Sequence, residues 1–185
     1  MIIALMAILG LILGSFANAV TWRLKSGESI AHGRSMCPEC KHQLAPKDLI
    51  PVLSWLSLKG KCRYCKKPIS IQYPIVELLT ALIFGLSTWL LLSLGLVTLG
   101  IWLAIVVCLM TLGAYDARWY ELPNKVMHPA LILTFIYYVL RFEPASGFFQ
   151  LFAALIAAAI FYALWRLSDG RLMGGADSKL VLLMG

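Results

Sequence analysis

Charged side chains are missing from long stretches of this chain. Met1–Trp22, Leu78–Tyr115 and Pro144–Trp165 contain none, and the second of these runs for 38 residues. A soluble core breaks its apolar runs with polar positions at helical or strand spacing, whereas crossing hydrocarbon takes about 20 predominantly apolar residues in succession. The pattern predicts an all-α polytopic membrane protein. Its first helix covers residues 1–22, and a polar insert follows over 23–73. The remainder, 74–185, reads as a helical membrane domain. Leu78–Tyr115 is too long for one span and weakens at Ser93-Leu94-Gly95. That break divides it into helices near 75–93 and 98–115. Val126–Leu140 predicts a helix near 126–141, long enough to span only with flanking residues. Another is expected near 147–166, beyond Glu143-Pro144, and a last apolar run starts near Ser178. No internal repeat or low-complexity tract is evident.

Charge adds an orientation. The net charge is +7, and ten of the sixteen Lys and Arg residues fall between Arg23 and Lys67. Short basic loops stay in the cytoplasm, so the insert is expected on that side, with the amino terminus outside. The same residues suit anionic lipid headgroups. They are tied to cysteine pairs and a membrane anchor, not to a recognition helix, and nucleic acid is not an expected partner. Met1–Trp22 lacks a basic region ahead of its apolar run, so it reads as a retained helix and not a cleaved signal. Threading the helices from this start brings Asp116, and later Asp177, to the cytoplasmic boundary.

The insert contains Cys37-Pro-Glu-Cys40 and Cys62-Arg-Tyr-Cys65, separated by 21 residues. Two CxxC pairs form the ligand set of a structural zinc site, four thiolates closing a tetrahedron at about 2.3 Å. The alternative is two disulfides, which a reducing cytoplasm disfavours. An insert with so few large apolar residues would draw folding free energy from the metal. Cys108, within an uncharged helix, reads as a small apolar residue.

A carboxylate in a membrane helix costs about 2.5–3.5 kcal/mol at the helix centre and less near its ends. Asp116 and Asp177 have bland readings, as a solvated boundary residue and a helix N-cap. As a pair they are suited to acid–base hydrolysis, one carboxyl protonated and the other ionised. Glu77 reads as a boundary carboxylate near Lys66 and Lys67, or as a ligand for a cationic amine.

Local sequence then bears on these choices. Asp116-Ala-Arg-Trp-Tyr-Glu-Leu-Pro123-Asn124 resembles the first catalytic motif of the type IV prepilin peptidases. Gly174-Gly175-Ala176-Asp177-Ser-Lys179 resembles their second, Gly-x-Gly-Asp-x-Lys, after which GxGD-type membrane aspartyl proteases are named. Gly14-Ser15-Phe16-Ala17-Asn18-Ala19-Val20 with Arg23, Pro51–Leu56, and Tyr73-Pro74-Ile75-Val76-Glu77 are similar to further segments of that family. The resemblance spans nearly the whole chain, in order, and includes the four cysteines.

It implies a GxGD-type helix bundle in the bacterial inner membrane with a four-cysteine cytoplasmic insert. Asp116 and Asp177 would be catalytic, with Gly174, Gly175, Lys179, Pro123 and Asn124 supporting the motifs. The substrate would be a prepilin or pseudopilin, cut at its basic leader for type IV pilus or type II secretion systems. Many members also methylate the new amino terminus with S-adenosylmethionine, and no glycine-rich cofactor loop is recognisable here. Ala176 departs from the family's second glycine. The family's membrane domain also continues for two or so helices past this motif, which implies more chain beyond Gly185. The rival readings are a non-enzymatic zinc-ribbon membrane scaffold and a proton-coupled transporter.

Overall fold

The computed structural model describes residues 1–30, 33–168 and 177–184. Seven α-helices cover these residues: α1 (Ile2–Ser26), α2 (Leu53–Ser57), α3 (Gln72–Leu91), α4 (Leu96–Trp119), α5 (Asn124–Leu140), α6 (Pro144–Leu167) and α7 (Asp177–Met184). Among the described residues there is no strand, and only two isolated bridges, Met36 with Gln43 and Lys61 with Pro68. The chain divides into two compact units, Met1–Leu99 and Gly100–Gly185.

In the first unit α1 packs lengthwise on α3, and its seam is built from small and polar residues. Gly10, Gly14, Ala17, Asn18 and Thr21 of α1 are buried, as are Glu77, Thr80, Ala81 and Thr88 of α3. Large aliphatic residues face outward instead: Leu5, Ile8 and Ile12 on α1, Leu78, Leu82 and Leu86 on α3. A water-soluble hairpin would reverse this, since burying leucine is what drives its association. Small residues inside and large apolar residues outside are what helices packing in lipid require.

The contact is close. A Cβ on Gly10 would lie 2.7 Å from the Ala81 Cα, and one on Gly14 2.8 Å from the Glu77 Cα. Thr80 and Thr88 spend their hydroxyls on the carbonyls of Val76 and Phe84, each at 2.7 Å, so these buried polar groups stay satisfied. At the end of α3, a 3-10 turn over Leu92–Leu94 and Gly95 at φ 96° stop the helix.

Four helices are long and apolar enough to cross a membrane: Ile2–Ser26, Gln72–Leu94, Leu96–Trp119 and Gly147–Leu167. The 17 residues of α5 rise only about 25 Å, short of a hydrocarbon core of about 30 Å. Within the second unit α7 packs on α6 and α5, and α4 meets α5 through Trp102 and Tyr137, whose ring centroids are 5.7 Å apart. Tyr138 donates its hydroxyl hydrogen to the Gly147 carbonyl at 2.8 Å and closes the α5–α6 corner.

Candidate functional site

Each cysteine pair sits on the same backbone device. Cys37 N–H donates to the His42 carbonyl at 2.9 Å and accepts at its own carbonyl from Lys41 N–H at 2.9 Å. Cys62 N–H does likewise with Lys67 at 2.8 Å and Lys66 at 3.0 Å. Leu44 N–H then bonds Ser35 O at 2.9 Å, and Ile69 N–H bonds Gly60 O at 2.7 Å. Lys41 (φ 57°) and Lys66 (φ 61°) both take the left-handed turn that folds each knuckle back. Residues 35–44 and 60–69 are therefore one motif built twice, twenty-five residues apart. The repeat is faint in the sequence, where an internal repeat is not evident, because among residues 38–43 and 63–68 only the second cysteine and the following lysine match.

The knuckles bring all four Sγ atoms within 4.8 Å of one another, and Cys37 Sγ lies 3.9 Å from Cys65 Sγ. Thiolates on a tetrahedral ion at about 2.3 Å are about 3.8 Å apart, so the cluster fits a metal ion. All four cysteines are free thiols, not disulfides.

Their acidities differ. Burial resists ionisation of Cys62, but the N–H groups of Cys65 and Tyr64 and neighbouring thiols outweigh it, bringing that thiol down to about 7. The Lys67 N–H favours the Cys65 thiolate, yet burial and the other cysteines push Cys65 up to about 11. Burial also raises Cys37. The knuckles are clasped by His42 packed at a tilt against Tyr64, centroids 3.7 Å apart, and by Lys67 donating to Glu39. Asp48, with its side chain 3% exposed, accepts from Arg63 Nε at 2.6 Å and from Tyr64 OH at 3.0 Å.

The insert is fastened to the α1–α3 hairpin at Glu77. This carboxylate is 5% exposed, accepts Val52 N–H at 2.7 Å and is hydrogen-bonded to the Ser15 side chain. It is no solvated boundary residue: the Lys66 and Lys67 setting is replaced by Ser15 and a backbone amide. Val52 presents that amide from a γ-turn, φ 60° and ψ −51°, with Leu53 N–H on Pro51 O at 2.6 Å. A β-branched residue held there costs on the order of 1–3 kcal/mol, which the buried charge-assisted bond offsets. Trp55 donates from Nε1 to Ile69 O at 3.1 Å and covers Gly60, joining the same loop to the second knuckle. Asn18 Nδ2 reaches Tyr73 O at 3.2 Å. Arg23 holds the carbonyls of Ile30 and Gly33, each at 2.8 Å.

In the second unit, Asp116 is exposed on the last turn of α4. The helix runs on to Trp119, past the end near 115 that the apolar pattern suggested, because Tyr120 N–H still bonds Asp116 O at 2.9 Å. Tyr120 at φ 54° then turns the chain, and Pro123, extended at φ −71° and ψ 120°, leads into α5 at Asn124. Asp177 opens α7 and is partly buried. Gly174, Gly175 and Ala176 lie outside the described residues. Lys179 Nζ donates to Asn124 Oδ1 at 3.0 Å. Asn124 follows Asp116 by eight residues and Lys179 follows Asp177 by two, so this bond ties the α4–α5 turn to the start of α7. No single motif signals that pairing.

Comparison with known proteins agrees with this division. Residues 8–91 match the Bacterial Peptidase A24 N-terminal domain, and residues 102–185 match the Type IV leader peptidase family. A prepilin leader peptidase/N-methyltransferase of Vibrio cholerae is 36% identical over 194 residues, covering 98% of this chain and 75% of that protein. One of the same name from Bacillus subtilis is 32% identical over 190 residues, covering 99% and 72%. A third, from Myxococcus xanthus, is 53% identical over 77 residues, 42% of this chain and only 23% of that relative. The match to the type 4 prepilin-like leader peptide-processing enzyme of Escherichia coli likewise spans only 36% of its length. No solved structure matches. With both family models matched in order and relatives above 30% identity over nearly the whole of this chain, the chain belongs to the type IV leader peptidase family.

Proposed function

We propose that Asp116 and Asp177 are the catalytic pair of an endopeptidase that removes the basic leader of type IV prepilins or pseudopilins. The observation that carries this reading is the Lys179–Asn124 hydrogen bond, which links the two aspartate-bearing segments across 55 residues of chain. Two carboxyl groups sharing a site do not both ionise readily, so one holds a proton and the other is a base. The base takes a proton from water as it attacks the scissile carbonyl, and the acid protonates the departing amine. Gly174 and Gly175 support the second motif by the family resemblance, Pro123 sets the turn before α5, and Asn124 orients Lys179 beside Asp177.

We take the metal held by Cys37, Cys40, Cys62 and Cys65 to be zinc, in a structural role, since four thiolates leave no open position. We further propose a second activity, methylation of the new amino terminus with S-adenosylmethionine as donor, supported by the N-methyltransferase in the names of several relatives and by the family resemblance. We place the protein in the bacterial cytoplasmic membrane, with the amino terminus outside. Residues 1–22 would anchor it, 23–73 form the cytoplasmic insert, and 74–185 belong to the protease domain.

The test is cleavage of a prepilin in membranes by the full-length protein and its Asp116→Asn and Asp177→Asn variants. Each change is expected to lower the rate by about 100- to 10,000-fold, the contribution of a positioned acid or base. Cleavage at the parental rate in either variant rejects the pair.

A further inference from the structure

The loop that Glu77 fastens exposes more large apolar surface than a water-facing segment explains. Leu49, Ile50, Leu53 and Leu56 are all exposed, the last two at 64% and 58%. Within α2, Leu53 and Leu56 stand one turn apart on one face, while Ser54 and Trp55 turn inward. Exposed Lys47 and Lys59 flank this patch.

Its depth follows from the contact between Glu77 and Val52. Glu77 is the sixth residue of α3, about 7.5 Å along the axis from Gln72. Its side chain leans back toward the start of the helix and meets Val52 N–H at 2.7 Å. Leu53, the next residue, therefore begins α2 level with the first turns of a helix long and apolar enough to span. Ile71 and Ile75, exposed at the start of α3, continue the apolar surface at that level. Amphipathic segments at membrane surfaces bury their apolar face about 5–10 Å into the headgroup–acyl boundary, with basic residues toward the headgroups.

We propose that Leu49–Ser57 is an interfacial anchor, with Leu53 and Leu56 inserted into the lipid leaflet on the insert's side of the membrane. Glu77 and the Val52 turn set its depth, and Trp55 connects it to the second knuckle, so the four-cysteine module is held against the bilayer surface. The proposal rests on α3 crossing the membrane and is independent of the peptidase chemistry.

The test places the photoreactive residue p-benzoylphenylalanine at Leu53 or Leu56, one at a time, in the full-length protein in bacterial membranes. Gln43, exposed on the first knuckle, serves as the aqueous control. Retention of the protein in membranes after an alkaline carbonate wash checks the spans separately. Lipid adducts are expected from both leucine positions and none from Gln43. Adducts to another copy or another protein segment at both leucines would overturn the proposal, and so would no adduct at either position in membrane-retained protein.

Discussion

Lys179 reaches back across the fold to donate to the Asn124 side chain at 3.0 Å. The final residue of Leu-Pro-Asn thus holds the lysine that follows Asp177. If this contact orients the second aspartate segment, Lys179→Met and Asn124→Leu should each lower prepilin cleavage about 5- to 30-fold, the rate equivalent of about 1–2 kcal/mol. The double variant should be no slower than the slower single one. Multiplicative losses in a double-mutant cycle would mean that the two residues act separately.

The glycine seam makes a stability prediction. Alanine at Gly10 or Gly14 places a methyl group under 3 Å from backbone atoms of α3, so α1 must move outward, at about 1–3 kcal/mol. Alanine at Gly100, with nothing within 4 Å, should be neutral or slightly stabilising, since it favours helix by up to about 1 kcal/mol. Thermal inactivation in a mild detergent distinguishes the two classes, and equal effects would contradict the seam.

Metal affinity should climb with pH, because binding requires thiolates. Cys65, at about 11, and Cys37, also raised, bind protons at neutral pH and release them on metal binding. Cys62 joins them only below its value of about 7. A plot of log affinity against pH, measured by chelator competition, should therefore steepen by about one unit of slope below pH 7. Cys62→Ser should remove that extra steepening and most of the bound metal.

Asp48 supplies an acid-sensitive contact. Burial works against its charge, but Arg63, Tyr64 and the Ala45 N–H overcome this and hold the carboxyl below its ordinary value. A depressed carboxyl stabilises the fold fully above its unfolded value and loses that contribution as pH falls through the folded one. Asp48→Asn should cost about 1–3 kcal/mol near neutral pH. The gap from the parent, read by proteolysis of the insert, should close as the pH drops below about 4. A gap that persists in acid would show that the charge is irrelevant.

The helices were legible because hydrocarbon thickness imposes a length on every span, and an uncharged run such as Leu78–Tyr115 meets it only when divided. The cysteine cluster was legible because CxxC is a local device that needs no distant partner. Gly10-Leu-Ile-Leu-Gly14 stands in the chain as a small-xxx-small pattern, but nothing local says that Glu77 and Ala81 fill its groove. The fate of Glu77 was the least readable. Its partner is the amide of Val52, exposed by a turn that β-branched residues avoid, and only the assembled hairpin makes that turn worthwhile. The end of α4 was misplaced for a related reason: Asp116 is polar, and polarity marks the end of an apolar run without ending a helix.

The paired knuckles bear on the order in which this unit assembles. α1 cannot seat its glycines on α3 until the two ends of Gly27–Ile71 meet, and closing a free loop of that length is entropically costly. A metal ion joining Cys37 to Cys65 leaves only about a third of those residues as slack, which lowers the closure cost by about 1 kcal/mol. The ion then acts as a clasp on an unfinished hairpin. Metal supply during synthesis would set how fast the first two membrane helices find each other, before any catalytic group is in place.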